Sequence, residues 1–434
     1  TRRANYMYGL QLQPGEKGTL GCGLGQRMST GSKGIARPTI EIANTGEKHT
    51  IDGVEMEFVY VLDTEAPVEI MIWLPQLKAF CTEDMTHNMH NLQTLRGAKV
   101  RNGLLWSKAV DTAIERYGDR VEVSFSTHHW PTWGNERIVN YWEAQRDMYR
   151  YLHDQTLHLA NRGLTPDEIA EEMKLPASLA SQFNCRGYYG TLSHNVKAQY
   201  DLYFGWFDGN PAHLNPLPPS ELGAKYVEAI GGADKVLEVA KASYAKGEYR
   251  WVATLLDNLV FAEPENKEAR QLLADTYSQL GYQAESGPWR NFYLTGAQDL
   301  FKKNVPYTSK LINDGVLSQM DMGTLLDYCA IQLNGEKAGG KEAVININFT
   351  DTKEKVMLML NNGVLNHRLG SQDKKADLTM EIAKMDFVKL FFGRTDLQTL
   401  HKTNKVKTTG DTKAIDIIRS ACEPADPNFN IVLP

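Results

Sequence analysis

The period of the hydrophobic residues changes twice along this chain of 434 residues. In residues 54–61 and 121–125, apolar side chains alternate with acids and a serine, which is the period of a half-buried strand. After Gly134 the apolar residues recur at helical spacing, and from about Pro306 short strand-like runs return. The sequence therefore predicts three successive parts, which are α/β, all-α and α+β in class.

The α/β part contains four predicted strands, at residues 54–61, 68–74, 78–81 and 121–125. We expect helices between them at residues 87–101 and 106–117. Glycines are dense ahead of the strands, in Gly21-Cys22-Gly23-Leu24-Gly25 and in Ser29-Thr30-Gly31-Ser32. Such runs predict loops that turn sharply or approach another group closely.

The all-α part begins with apolar residues at helical spacing in 138–152. Thr165-Pro166-Asp167-Glu168 supplies a cap, a proline at the first helical position and an acid at the third, so a helix should start there. A helix at residues 269–280 should end at Gly281 and form a hairpin with residues 249–261, like one tetratricopeptide unit. We interpret this hairpin as a packing or dimerisation element.

The α+β part should begin with a largely helical stretch at residues 311–333. Predicted strands follow at residues 344–349, 355–360, 363–369 and 378–382, and predicted helices at 383–392 and 412–420. No catalytic constellation is visible in this part.

Composition narrows the function classes. The formal net charge of −6 gives no basic face for nucleic acid. No run of eighteen apolar residues occurs, so no membrane span is expected. The five cysteines are scattered and odd in number, which argues against a disulfide framework and indicates buried thiols.

Candidate metal ligands occur together only in the α/β part. Glu65, Glu83 and His128-His129 each follow a predicted strand, so all could meet at one sheet edge. Imidazole and carboxylate groups that converge from separate elements are what zinc requires. Solvated or hydrogen-bonded side chains are the alternative, and for His87 and His90 packing or capping is the preferred interpretation.

Long motifs resemble the metallo-β-lactamase-type alkylsulfatases. They are Thr64-Glu65-Ala66-Pro67, Cys81-Thr82-Glu83-Asp84-Met85-Thr86-His87, His90-Asn91-Leu92, Thr94-Leu95-Arg96-Gly97-Ala98-Lys99, His128-His129-Trp130-Pro131, Arg186-Gly187-Tyr188-Tyr189-Gly190, Ser193-His194-Asn195 and Gly205-Trp206-Phe207-Asp208-Gly209-Asn210. The resemblance covers essentially the whole chain. It implies zinc-dependent hydrolysis of linear alkyl sulfate esters, such as dodecyl sulfate, to an alcohol and inorganic sulfate.

The resemblance also implies residue roles. Glu65 is expected to be a terminal zinc ligand, Glu83 a carboxylate that bridges two zinc ions, and His128 a ligand of the second zinc. Tyr8, Gly25, Arg96 and His194 are expected to form the sulfate pocket, with Arg96 and His194 also catalytic. A planar guanidinium matches a sulfate oxyanion well, although a surface ion pair is the alternative for Arg96.

The chain departs from the family pattern in two places. The His-x-His-x-Asp-His segment, which carries about half of the family's metal ligands, does not occur in it, so a piece preceding Thr1 is expected to complete the site. Leu10 stands where the family pattern leads us to expect asparagine.

The resemblance divides the chain into three domains. Residues 1–137 would be the distal part of a metallo-β-lactamase αββα sandwich, 138–303 a helical alkylsulfatase dimerisation domain, and 304–434 a domain like sterol carrier protein 2. A homodimer and a lipid-tail pocket are implied. Family members are often periplasmic or secreted, while free cysteines favour a reducing cytoplasm. Two rivals remain open: a catalytically incomplete, dimeric lipid-binding or scaffold protein, and a lactone or thioester hydrolase of the same superfamily.

Overall fold

The computed structural model describes residues 2–26, 34–301 and 313–434. These residues divide into two units. The first contains residues 2–26, 40–301 and 428–434, and the second contains residues 34–39 and 313–427. The glycine-rich run Ser29-Thr30-Gly31-Ser32 lies outside the described residues.

A six-stranded sheet organises the first part of the first unit. Its strands lie side by side in chain order: β1 (Lys48–Ile51), β2 (Val54–Leu62), β3 (Val68–Leu74), β4 (Ala79–Cys81), β5 (Val123–Phe125) and β6 (Thr132–Trp133). All neighbours pair antiparallel except β4 and β5, which pair parallel with Cys81 opposite Phe125. A parallel pair requires a crossover, which here includes the helix α2 (Gly103–Tyr117). The carboxyl ends of β4 and β5 therefore lie together, and the four predicted strands are confirmed.

Aromatic side chains from two helices pack into the hydrophobic core beside this sheet. Helix α2 packs against α3 (Asn135–Ala160), and each contributes a fully buried tryptophan. The indole N–H of Trp106 donates to the carbonyl oxygen of Met85 at 3.0 Å, and that of Trp142 donates to Ser124 Oγ at 3.0 Å. Both buried indoles thus keep a hydrogen-bond partner, and both fix a chain segment next to the end of β4 or β5.

The predicted helix at residues 87–101 is wrong, because this segment is irregular. Its backbone is bonded by distant side chains. Asn195 accepts from Leu92 N at 2.9 Å and donates to His90 O at 2.8 Å, and the Tyr149 hydroxyl accepts from His90 N at 3.0 Å. These tertiary bonds replace the i→i−4 ladder that a helix would need.

The rest of the first unit is helical. Its helices are α1 (Arg2–Tyr8), α4 (Pro166–Glu172), α5 (Ala177–Ala180), α6 (Leu192–Phe204), α7 (Pro219–Ile230), α8 (Ala233–Ala245), α9 (Tyr249–Ala262), α10 (Lys267–Gln283) and α11 (Gly287–Asp299). The predicted start at Thr165 is confirmed, since Thr165 and Glu168 form a complete capping box. The predicted stop at Gly281 is wrong. A Cβ at Gly281 would lie 2.9 Å from Leu294, so glycine serves the close approach of α11 there.

The second unit is a five-stranded sheet with helices. Its strands are β7 (Ala343–Phe349), β8 (Lys355–Asn361), β9 (Val364–Leu369), β10 (Leu378–Ile382) and β11 (Val406–Gly410), in the order β11-β10-β7-β8-β9. Its helices are α12 (Asp314–Gln319), α13 (Met322–Ala330), α14 (Gly335–Ala338), α15 (Lys384–Phe391), α16 (Leu397–Lys402) and α17 (Lys413–Ala421). The four predicted strands are confirmed, while β11 and α16 were not predicted. The largely helical stretch predicted at 311–333 is two short helices over its described residues.

The predicted combination of α/β, all-α and α+β parts is confirmed. The division into three domains stays a prediction. Within the described ranges, no helix combines the length and the apolar run that crossing a bilayer requires.

Candidate active site

Four acidic side chains gather beside the carboxyl end of β4. Carboxylate oxygens of Glu65, Glu69 and Asp84 lie within 4.8 Å of one another. Glu83 is close enough for its charge to raise the pKa of Glu69. Glu65 lies in the turn between β2 and β3, Glu69 lies on β3, and Glu83 and Asp84 follow β4. We call these four residues the carboxylate cluster.

Burial and mutual repulsion raise the pKa of two members of this cluster. Burial raises the pKa of Glu69 to about 8, with further contributions from Asp84 and Glu65. Burial, followed by the charge of Asp84, also raises the pKa of Glu83. A group of carboxyls that cannot all ionise in isolation is an environment that favours a bound cation.

The backbone is strained at this edge. Asp63, Glu83 and His129 have φ values of 51°, 52° and 66°, in the left-handed region that residues other than glycine adopt uncommonly, although aspartate and histidine do so more often than glutamate. Two of these residues belong to the turns that follow β4 and β5. Strain of this kind persists where the surrounding contacts hold functional side chains in place.

Arg101 partly neutralises the cluster from one side. Its guanidinium is buried, forms an ion pair with Glu65, donates from Nε to the carbonyl oxygen of Glu65 at 2.9 Å, and donates to the carbonyl oxygen of Asn91. Arg101 thus fixes both the backbone and the side chain of a predicted zinc ligand.

Three histidines, His87, His90 and His128, lie against the carboxylate cluster, and we call them the histidine group. Ligand atoms of Asp84, His87 and His90 lie within 4.8 Å of one another, and the His87 ring lies 5.2 Å from that of His90 and 5.4 Å from that of His128. His128 Nε2 lies 3.3 Å from Asp84 Oδ1, and Thr127 Oγ1 donates to the same oxygen at 2.6 Å. The structure therefore brings the predicted ligands Glu65 and His128 to the same carboxylate, Asp84.

His87 offers an unused lone pair. Burial, followed by the charge of His128, lowers its pKa to about 3, so the ring is neutral at neutral pH. Its Nδ1 lies 2.8 Å from Asn88 Oδ1, and because an amide oxygen only accepts, Nδ1 carries the proton. Nε2 is then a buried acceptor with no hydrogen-bond partner among the described residues. A buried imidazole acceptor beside carboxylates fits a metal ion.

The predicted sulfate residues Tyr8 and Arg96 contact each other. Arg96 Nε donates to the Tyr8 hydroxyl at 3.2 Å, and Arg96 is exposed. Tyr8 also shares a hydrogen bond with Tyr189, whose ring lies 5.0 Å from that of His90. Tyr8 and Arg96 are therefore linked to the histidine group through one intervening side chain.

Gly25 belongs to a loop held against the site by its neighbours. Its carbonyl oxygen accepts from Cys22 N at 2.9 Å, and the carbonyl oxygen of Gly23 accepts from the Asn88 side chain at 3.3 Å. A Cβ at Gly23, where φ is +82°, would lie 2.3 Å from the carbonyl oxygen of Tyr188, whereas nothing lies within 4 Å of a Cβ at Gly25. Gly25 thus faces open space.

His194 presents an N–H hydrogen-bond donor. Trp289 Nε1 donates to its Nδ1 at 2.9 Å, so the neutral ring carries its proton on Nε2, which is buried and has no described partner. Burial, followed by the charge of Lys197, lowers its pKa to about 3. In the described part of the chain, His194 bonds to Thr191 and Trp289 rather than to Tyr8 or Arg96.

Several site residues were not predicted from the sequence. Glu69 is an acid within the otherwise apolar strand β3, and Asp84 is adjacent to the predicted ligand Glu83. The preferred interpretation of His87 as a packing or capping residue does not account for its unpaired Nε2. Trp130 and Trp133, which follow the predicted ligand His128 in the sequence, are 84% and 60% exposed.

Two protein-family models match this chain. Residues 165–303 match the alkyl sulfatase dimerisation domain, and residues 310–434 match the alkyl sulfatase C-terminal domain. Together these matches cover more than half of the chain.

Curated relatives match over the full chain. A linear primary-alkylsulfatase from Pseudomonas sp. is 46% identical over 100% of this chain and 65% of its own length. The alkyl/aryl-sulfatase BDS1 from Saccharomyces cerevisiae is 42% identical over 100% of this chain and 67% of its own length. The chain thus spans about two thirds of the length of these relatives.

A solved structure has the same fold. The stereoselective inverting sec-alkylsulfatase Pisa1 from Pseudomonas sp. superposes with a TM-score of 0.97 at 41% identity, over 100% of this chain and 69% of that protein.

Proposed function

This chain belongs to the alkylsulfatase family, and we propose that it forms most of a zinc-dependent enzyme that hydrolyses linear alkyl sulfate esters to an alcohol and inorganic sulfate. The observation that carries the proposal is the carboxylate cluster packed against the buried imidazoles of His87 and His90, with the Arg96–Tyr8 pair linked to them through one intervening side chain. Cation-binding and anion-binding groups are both needed to act on a sulfate ester.

We assign the metal ligands from the resemblance and the local chemistry. Glu65, Glu83 and His128 would hold zinc in the part of the site that this chain supplies, two zinc ions being expected in the complete site. The raised pKa of Glu83 supports this role, since burial and the charge of Asp84 raise it and a bound cation would offset both effects. Zinc, when bound, supplies Lewis acidity that lowers the pKa of water towards neutrality and stabilises negative charge.

Arg96, Tyr8 and His194 would hold the sulfate group. A guanidinium provides a rigid fork of N–H donors that matches an oxyanion, and Tyr8 orients it through the hydrogen bond to Nε. His194 adds an N–H donor from Nε2. Because its pKa is lowered to about 3, the neutral ring donates a hydrogen bond near pH 7 and is not a reservoir of imidazolium.

The alkyl chain would enter a cavity of about 800 Å³ that borders His87 and His129. Most of its lining is polar or charged, including Glu136 and Arg137, but Trp130, Tyr141 and Phe183 contribute aromatic surface on one part of it. Phe183 meets His129 edge to face with ring centroids 6.4 Å apart. An aromatic wall beside the histidines suits an aliphatic tail.

The remaining parts would support assembly and tail binding. The match to an alkyl sulfatase dimerisation domain supports a homodimer. The expectation that the α+β part binds an aliphatic tail, as sterol-carrier-type domains do, rests on the resemblance alone.

Sulfate release separates this function from its rivals. The purified protein, produced with the segment that is expected to precede Thr1, should release sulfate from dodecyl sulfate and leave dodecyl acetate intact, because an acyl ester has no group for Arg96 to clamp. Arg96→Ala should raise KM about tenfold or more, while Arg162→Ala, at an exposed arginine, should not. Hydrolysis of the acetate alone would favour a carboxylic ester, lactone or thioester hydrolase. Hydrolysis of neither ester would favour a binding or scaffold protein.

A further inference from the structure

A second cavity lies between α7 and α9, and none of its lining residues belongs to the candidate active site. Its volume is about 420 Å³, which is within the range of small-molecule sites. The two helices meet closely beside it, since a Cβ at Gly223 would lie 2.5 Å from the carbonyl oxygen of Asn258. The cavity is therefore bounded by a tightly packed helix pair.

The walls are mostly apolar. Leu222, Val227, Ile230, Val236 and Leu255 line the cavity, and Val227, Val236 and Leu255 are buried. Such a lining favours an aliphatic ligand body.

One carboxylate opens into this apolar space. Asp257 alone among the described lining residues carries a charge, and it forms no hydrogen bond or ion pair with any described residue. Burial raises the pKa of Asp257, which shows that its charge is poorly solvated. An unpaired, partly desolvated carboxylate is stabilised by a cationic partner.

Aromatic side chains surround the same space. Tyr226, Trp251 and Phe261 line the cavity, with Tyr226 51% and Trp251 49% exposed. Aromatic faces attract organic cations through the ring quadrupole, and tryptophan does so most strongly. Half-exposed rings at an apolar cavity are thus accessible to a ligand from solvent.

We propose that this cavity binds an organic cation with an aliphatic body, of the alkylammonium class, with the cation at Asp257 and the aromatic rings and the chain along the apolar walls. The charge of Asp257 selects against an alkyl sulfate, so this site does not bind the proposed substrate. The proposal is independent of the proposed function.

Three ligands of equal chain length test the proposal by titration calorimetry on the purified protein: hexyltrimethylammonium, hexan-1-ol and hexyl sulfate. We expect the ammonium compound to bind about tenfold or more tightly than the alcohol, as one desolvated charge contact implies. Hexyl sulfate should bind more weakly than the alcohol, because Asp257 repels its charge. Asp257→Asn should remove that preference and leave alcohol binding within about twofold. Asp275→Asn, at an exposed aspartate outside the cavity, should leave both affinities unchanged.

A second variant tests whether the effect of Asp257→Asn reflects lost cation binding or a change in the fold. Trp251→Leu keeps an apolar side chain without a π face, so it should weaken the ammonium compound severalfold and spare the alcohol. Equal binding of the ammonium compound to wild type and Asp257→Asn would overturn the proposal. Absence of cation binding to the wild type would also overturn it. If Trp251→Leu then no longer dimerises, this face would be assigned to a second copy of the chain.

Discussion

The indole N–H of Trp289 donates a hydrogen bond to Nδ1 of His194 at 2.9 Å, and the two rings stack with centroids 6.1 Å apart. This bond decides which nitrogen of a neutral histidine carries the proton. It leaves Nε2–H as a buried donor with no described partner, which is the arrangement needed to meet an oxyanion.

Trp289→Phe should therefore disturb catalysis more than folding. Phenylalanine keeps the stacked ring and removes the donor, so the His194 tautomers should mix. We expect kcat/KM for dodecyl sulfate to fall about tenfold, with a loss of unfolding free energy of about 1 kcal/mol. Steady-state kinetics measure the catalytic effect, nitrogen NMR of the His194 ring measures the tautomer, and denaturant unfolding measures the change in stability. Unchanged kinetics with a changed tautomer would show that Nε2–H does not contact the substrate.

Arg101→Ala should destabilise the protein strongly. It leaves Glu65 without its ion pair and the carbonyl oxygen of Asn91 without its donor, so the unfolding free energy should fall by about 3 kcal/mol. Denaturant unfolding provides the measurement. Lys99→Ala is the matched control, because the Lys99–Asp63 pair is exposed and should contribute less than about 1 kcal/mol. Equal effects of the two variants would contradict the structural role of Arg101.

Substitution by alanine should lower the stability of the protein at Gly23 but not at the neighbouring Gly25. Gly23→Ala forces a Cβ to within 2.3 Å of the carbonyl oxygen of Tyr188 at a positive φ, so it should displace the loop and cost roughly 1–3 kcal/mol. Gly25→Ala meets open space and should leave stability unchanged while raising KM if it lines the sulfate pocket. Thermal unfolding and KM of both variants test this pair. A destabilised Gly25→Ala variant would contradict the described loop.

Glu69 should make the metal-free protein less stable as the pH rises. Its folded pKa of about 8 lies above the ordinary value of 4.5, so the folded state holds a proton that the unfolded state loses between those pH values. Glu69→Gln should abolish this decline and stabilise the metal-free protein at pH 8 by at least about 1 kcal/mol. Unfolding at pH 5 and pH 8 measures the difference, with the exposed Glu115→Gln as control. A decline in Glu69→Gln as steep as in the wild type would refute the raised pKa of Glu69.

The sequence predicts the sheet and many of the helices here because their hydrophobic periods are regular. It fails at residues 87–101, where Asn195 and Tyr149 supply tertiary bonds that no local pattern encodes. Gly281 is a second example. The sequence predicts a helix end there, but the glycine instead allows Leu294 to pack closely against the helix, and Leu294 is distant in sequence. Motifs placed Glu65 and His128 at the site, but the contributions of Glu69, Asp84 and Trp289 depend on distances that only the folded chain provides.

The most direct test of the central claim is the metal content of the purified protein, measured together with sulfate release from dodecyl sulfate. We expect about two zinc ions per protomer and steady turnover in the complete enzyme, with both lost in Glu83→Gln and retained in Glu115→Gln. Sulfate release that persists without bound metal, or a Glu83→Gln variant with full zinc content and full turnover, would contradict the account.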